Sequence, residues 1–231
     1  MSKNSKEITA RADKLYDGRE QPANVRRSLE LLNDASGDYE ALWRTARAYF
    51  FLGQEAVGTV EASAHHYAGI DAGRRAVRAV DRRVEGHFWL GVNLALLARL
   101  ENPFGALRHA LQAKHALQRA VSLDASYHAA GPLRVLARLE SKLPNILGGG
   151  TRRARIHFEE AIRLAPSNTV TRLYFAELLL ECGDTLRARK ELESILAIPF
   201  DPAWGFEIKR DKARAMEIMQ GWGWGSGVGG W

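Results

Sequence analysis

Several sets of side chains have the type and spacing to do chemistry or to hold a ligand. The segment LGGGTRRAR sets Gly148, Gly149 and Gly150 ahead of a helical stretch. Gly-rich backbone at a helix N-terminus is a natural anion site, and Arg152 and Arg153 would add charge to it. A phosphate-cradling P-loop needs Gly-Lys-Ser/Thr after its spacer, whereas Thr-Arg-Arg stands here. The expected structure is therefore a loop with Thr151 capping the helix that follows. The seven histidines offer no zinc pair: His65 and His66 are adjacent, and His109 and His115 are six apart on opposite helix faces. His87 and His157 sit inside helical stretches, where packing or capping is expected of them. The single Cys182 cannot form an intramolecular disulfide and follows an apolar stretch as a buried small residue would. No Ser/His/Asp or Cys/His trio can be nominated, so no catalytic residue, metal ligand or cofactor is expected, and the chain reads as a non-enzyme.

Three polar residues are embedded in otherwise apolar runs: Asn93 in WLGVNLALL, Arg134 in GPLRVLARL and Glu177 in YFAELLLE. Buried polar groups must be paired, and an unpaired buried charge is costly. They are expected on one inner wall, with Arg134 and Glu177 close enough to interact. Arg44, Phe51, Phe88 and Leu173 complete this candidate groove, which would suit an amphipathic helix or an apolar ligand. The competing assignment for its large side chains, and for Trp43 and Trp89 above all, is inter-helix core. Arg74, Arg75, Arg78, Arg82 and Arg83 form a dense basic cluster that reads as one face of one helix. Such a face is solvated by default and could meet an acidic partner or a membrane surface.

The elements that must position these residues follow from the totals and from a repeat. At 231 residues, 46% apolar and 26% charged, the chain can bury a substantial core. Its formal charge of +6 attracts acidic partners only weakly when spread over a long surface, and no nucleic-acid reader motif accompanies it. The opening MSKNSKEITARADK has no apolar run, so no signal peptide is expected and the chain as written reads as cytoplasmic. A trimmed start would make it periplasmic. The longest apolar stretch, Phe88 to Ala98, is interrupted by Gly91 and Asn93 and is far short of the ~20 residues of a membrane span.

In RRARIHFEEAIRLAP, Ala154, Phe158 and Ala161 fall at i, i+4 and i+7 on one helix face, and Pro166 follows. Ala113, Leu117 and Ala120 repeat the spacing, as do Ala72, Ala76 and Ala79. The last small residues, 79, 120 and 161, are then 41 apart twice. Downstream Ala188, Leu192 and Ile195 follow after a step of 34, and Val25, Leu29 and Leu32 form a degenerate first copy. Each of these helices needs one before it. ALWRTARAYFFLG, with Gly53 as a stop, HFWLGVNLALLARL, GPLRVLARLE and TRLYFAELLLECGD, ending on Gly183, supply four of them. Small residues let paired helices approach, the large one fills the gap between them, and a step of 34 is that of tetratricopeptide (TPR) repeats. The predicted fold is all-α, a right-handed superhelix of TPR-like helix-turn-helix repeats over residues 1–220. A capping helix is expected from about Trp204 to Met219, and SKLPNILGGG is the clearest long loop. The Gly/Trp-rich residues 221–231 read as a disordered tail.

With those motifs in order, ALWRTARAYFFLG, EGHFWLGVNLA, AAGPLRVLARL, LP then GGG, and RARIHFEEAIRLAP, the chain resembles the TPR-type T component associated with TRAP transporters (TatT-like proteins) over about residues 20 to 218. A more distant likeness is to the regulator of microtubule dynamics family. Both resemblances imply a non-enzymatic helical-repeat protein. The first implies a scaffold accessory to a TRAP-type solute transporter, with a protein or peptide as its partner and a solute-binding protein as the specific candidate. The alternative is a protein that encloses a small apolar or acidic solute inside the superhelix.

Overall fold

Apolar residues recurring every three to four positions make amphipathic helices, and the small ones among them set how closely those helices approach. A computed structural model describes residues 3–223. Among the described residues there are eleven α-helices and no strand, as the periodicity requires. Contacts gather the chain into two compact units, Met1–Tyr127 and His128–Trp231, within the stretch that the sequence treats as one domain.

Unit 1 carries α1 (Lys3–Asp17), α2 (Pro22–Asn33), α3 (Tyr39–Glu55), α4 (Thr59–Ala79), α5 (Val84–Ala98) and α6 (Pro103–Leu123). They pack as successive hairpins, α1 on α2, α3 on α4 and α5 on α6, and each hairpin packs on the next. The short connections are held by caps: the Asp38 side chain accepts from the Glu40 N–H, and the Asn102 side chain accepts from Phe104 and Gly105.

The repeat itself needs one correction of register. The main-chain N–H of Asp124 closes α6 on the carbonyl of Ala120, and that of Ala165 closes the corresponding helix on Ala161. In α4 the same bond runs from Val80 to Ala76, so Ala76, not Ala79, is the equivalent residue. Ala79 is exposed, and the contact face is Gly69, Gly73 and Ala76, all buried. The reason is close approach: a Cβ on Gly73 would lie 2.9 Å from the Leu90 Cα, and one on Gly69 would lie 2.4 Å from the Asn93 Oδ1. Gly53 is not a stop either. It lies buried inside α3, where a Cβ would overlap the ring of His66.

Unit 2 carries α7 (Tyr127–Glu140, whose first residue belongs to unit 1), α8 (Thr151–Leu164), α9 (Thr169–Glu181), α10 (Thr185–Ala197) and α11 (Gly205–Gly221), with one-turn 3-10 helices at Asn145–Leu147 and Pro202–Trp204. Before Pro132, residues His128, Ala129 and Ala130 take left-handed backbone, with φ of 51°, 52° and 57°. Ala137, Ala154, Phe158, Phe175 and Ala188 form one core cluster, and Leu173, Leu192, Ile195 and Ala215 form a second against α11, the expected capping helix. Gly150, not Thr151, precedes the first turn of α8, and no side chain caps it. Cys182 is exposed rather than buried, because it closes α9 on the solvent side of the turn. Trp224 to Trp231 of the expected tail lie outside the described residues.

Candidate functional site

The first helices α3 and α7 carry arginines over aromatic rings. On α3, Arg44 and Arg47 both reach Asp13 on α1, and Trp43 lies beside them. Arg44 donates from Nε to both oxygens of Asp13 (3.0 and 2.9 Å) and from Nη1 to the Glu40 carboxylate (2.6 Å). Arg47 donates from Nη2 to Asp13 at 2.6 Å. The Arg44 guanidinium lies 4.1 Å from the centre of the Trp43 ring, and that of Arg47 lies 3.9 Å from the centre of Tyr16, so each cation rests on a π face. Glu40 also accepts from Trp43 Nε1 at 2.9 Å and from Arg83. Burial opposes the Glu40 carboxylate, but the hydrogen bonds from Arg44, Trp43 and Arg83 outweigh it and hold its pKa below the usual carboxylate range. On α5 the same face continues into Trp89, whose Nε1 donates to the Tyr127 hydroxyl at 3.2 Å. Burial pushes the pKa of that hydroxyl up to about 12, so it stays protonated.

Unit 2 repeats the theme on α7 and α9. Arg138 Nη2 pairs with Glu177 at 2.7 Å, and its guanidinium lies 4.9 Å from the centre of the Tyr174 ring. Beside it is a depression of about 530 Å³, open to solvent and lined by Arg138, Glu177, Glu181, Arg214, Ile218 and Trp222. A depression of about 580 Å³ in unit 1, bounded by Asp34 to Tyr39 and Val80, is open as well. Among the described residues three buried side-chain nitrogens lack a hydrogen-bond partner: Arg47 Nε, Arg138 Nη1 and His109 Nδ1. Two of the three are thus arginine donors on first helices.

The residues nominated for a groove do not line one surface. Phe51, Phe88, Asn93 and Leu173 are buried and hold helices together. Asn93 donates from Nδ2 to the carbonyls of Ala46 (3.0 Å) and Trp89 (2.8 Å), and its Oδ1 lies 3.2 Å from His66 Nδ1, which ties α3, α4 and α5 at one point. Trp43 and Trp89 are likewise buried. Arg44 and Glu177 do remain at the half-buried faces described above. The expected pairing of Arg134 with Glu177 is replaced: Arg138, one turn further along α7, takes Glu177. Arg134 points into the core and donates from Nη1 to Ala129 O (3.0 Å), Asn168 Oδ1 (3.2 Å) and Thr171 Oγ1 (3.4 Å). With no carboxylate in contact, burial lowers its pKa to about 10.

The basic cluster also divides. Arg74, Arg75 and Arg78 are exposed on α4, but α4 ends at Ala79, so Arg82 and Arg83 lie past it. Arg83 precedes α5 and is held by Glu40 and Glu85 over the Tyr39 ring. Nothing in the local sequence marks Arg47, Asp13, Glu40, Arg138 and Tyr174 as members of these clusters. An arginine four residues after Glu40 and next to a tryptophan was a legible signal for Arg44 alone, because Asp13 comes from another helix. The histidines behave as packing groups: His87 bonds the Asp81 carbonyl at 2.7 Å, and His157 pairs with the buried Glu140 at 2.8 Å. Among the described residues no three His, Cys, Asp or Glu side chains gather in a way that could hold a metal ion. No helix among them is long and apolar enough to cross a membrane.

The family model described as the TRAP transporter T-component matches residues 38–216 of this chain. A comparison with curated proteins finds no match. Among solved structures the chain is similar to the crystal structure of a thermophilic TPR protein of Thermus thermophilus. The TM-score is 0.70 at 19% identity, over 92% of this chain and 99% of that one. At that identity the likeness is one of fold, and it places both units among TPR-type helical hairpins.

Proposed function

Because the chain belongs to the TRAP transporter T-component family, we propose that it is a non-catalytic accessory of a solute transporter that holds a protein partner on its first-helix faces. The observation that carries this reading is the recurrence of one arrangement in both units. An arginine on a first helix lies over an aromatic ring, beside a carboxylate, with one buried donor left without an acceptor: Arg47 Nε on α3 and Arg138 Nη1 on α7. Part of each guanidinium stays accessible beside its ring, and a partner's carboxylate matches that fork best. An acidic segment of the partner is the complementary surface. Arginines beside aromatic rings are also the residue types on which protein interfaces concentrate their binding energy. The open form of both depressions favours a protein or peptide over an enclosed small solute. The partner that family membership suggests is the solute-binding subunit of a TRAP transporter.

Titration calorimetry of the chain with that purified subunit tests the reading. Saturable binding is expected, weakened about tenfold or more by the double substitution Arg47→Gln with Arg138→Gln, with the affinity falling as salt is raised. Absence of binding, or binding indifferent to both arginines in a variant that melts like the parent, would remove this face from consideration.

A further inference from the structure

The outward faces of α4 and α6 form a second surface, independent of the first-helix arginines. The two helices run side by side in the same direction. Tyr67 donates to Glu101 at 2.5 Å and meets the His109 ring edge-on, Arg74 donates to Gln112 at 3.1 Å, and Arg119 reaches Asp81 at 3.4 Å. The outward positions of both helices are apolar in their first halves: Val60 is 84% exposed, Tyr67 49%, Phe104 89%, Leu107 42% and Leu111 38%. In their second halves they turn basic, with Arg74, Arg75 and Arg78 on α4 and Arg119 on α6, all exposed. The sequence of α6 has no acidic residue from Pro103 to Leu123. On α4, Asp71 is offset by Arg75 at 4.0 Å and Glu61 by Arg26 at 3.9 Å.

We infer that this face lies on the surface of a membrane rich in anionic lipid, with Phe104, Leu107 and Val60 entering the interface and Arg74, Arg78 and Arg119 resting on headgroup phosphates. The charge sign carries the choice of occupant. A basic half beside protruding apolar side chains is the composition of interfacial helices, and anionic headgroups complement it along its length. An amphipathic peptide helix is held by an apolar strip along its length, whereas here the exposed apolar residues give way to arginines halfway along both helices. A second copy would set this basic half against another basic half or against the apolar half, and neither neutralises it.

Co-sedimentation of the full chain with vesicles is the test. Binding to phosphatidylcholine vesicles containing phosphatidylglycerol is expected, with little to phosphatidylcholine alone and release at high salt. Phe104→Glu with Leu107→Glu, and separately Arg74→Glu with Arg78→Glu, should each reduce bound protein about tenfold at unchanged melting temperature. A chain that stays in the supernatant with anionic vesicles overturns the inference. So does equal binding to both vesicle types, or binding unaffected in well-folded variants. Self-association in sedimentation velocity that disappears in the Phe104 variant would assign the face to a second copy and overturn it too. Loss of transporter-subunit binding in the Arg47 variant with vesicle binding intact separates this surface from the first-helix one.

Discussion

Replacing Asn93 by alanine should weaken unit 1 more than a surface change on any of its helices. The Asn93 side chain is fully buried and makes three contacts, two from Nδ2 to carbonyls of α3 and α5 and one from Oδ1 to His66 on α4. Each such bond is worth about 1 kcal/mol net, and losing this one leaves buried His66 without its partner while opening a small void beside Gly69. The sum is about 2–4 kcal/mol, or roughly 2–4 °C of melting temperature for each kcal/mol in a chain of this size. Burial lowers the His66 pKa below its usual 6.5, and proximity to His65 adds to this, while the bond to Asn93 works the other way. The unfolded chain therefore takes up a proton that folded His66 refuses. The stabilising contribution is complete above about pH 6.5 and is lost as pH falls below it. Removing Asn93 lowers the His66 pKa further and extends that loss to lower pH. Urea unfolding of parent and variant at about pH 7.5 and about pH 5.5 measures both effects. A difference below about 1 kcal/mol at the higher pH, or a variant less acid-sensitive than the parent, would refute the three-helix tie.

Two further outcomes follow from the backbone. Gly73→Ala places a Cβ against the Leu90 main chain, which cannot rotate away. It should lower stability by about 1–3 kcal/mol even though alanine is the better helix former, and a thermal melt reads this directly. Ala129→Gly should be neutral or stabilising by up to about 1 kcal/mol, because Ala129 sits at φ 52°. The same change at Ala137, in a right-handed turn of α7, should cost that much or more, and chemical denaturation of the two variants compares them.

The order of helices was legible because a helix face is a local property. Ala113, Leu117 and Ala120 announce α6 from within eight residues, and Gly183 marks the end of α9 as expected. Register in α4 was not legible. Ala72, Ala76 and Ala79 and Gly69, Gly73 and Ala76 obey the same spacing, and only the approach of α5 decides that Gly69 and Gly73 face inward while Ala79 is left to solvent. The candidate site was legible in residue types more than in partners. Arg44 was nominated, but its carboxylate Asp13 lies 31 positions away, and Arg138 rather than Arg134 takes Glu177 across a gap of 39. One turn of α7 separates those two arginines, and both patterns look alike along the chain.

By itself the sequence determined that this protein is built of amphipathic helical hairpins, in what order, and where small side chains let helices nest. Tertiary packing decided where the buried stripe of α4 ends, taking in Gly69 and Gly73 and leaving out Ala79, which embedded polar groups become struts, as Asn93 does, and which cations stay at a surface. The division has one physical cause. Helical periodicity is written within a few turns of chain, whereas desolvation and ion pairing depend on groups that meet only after folding.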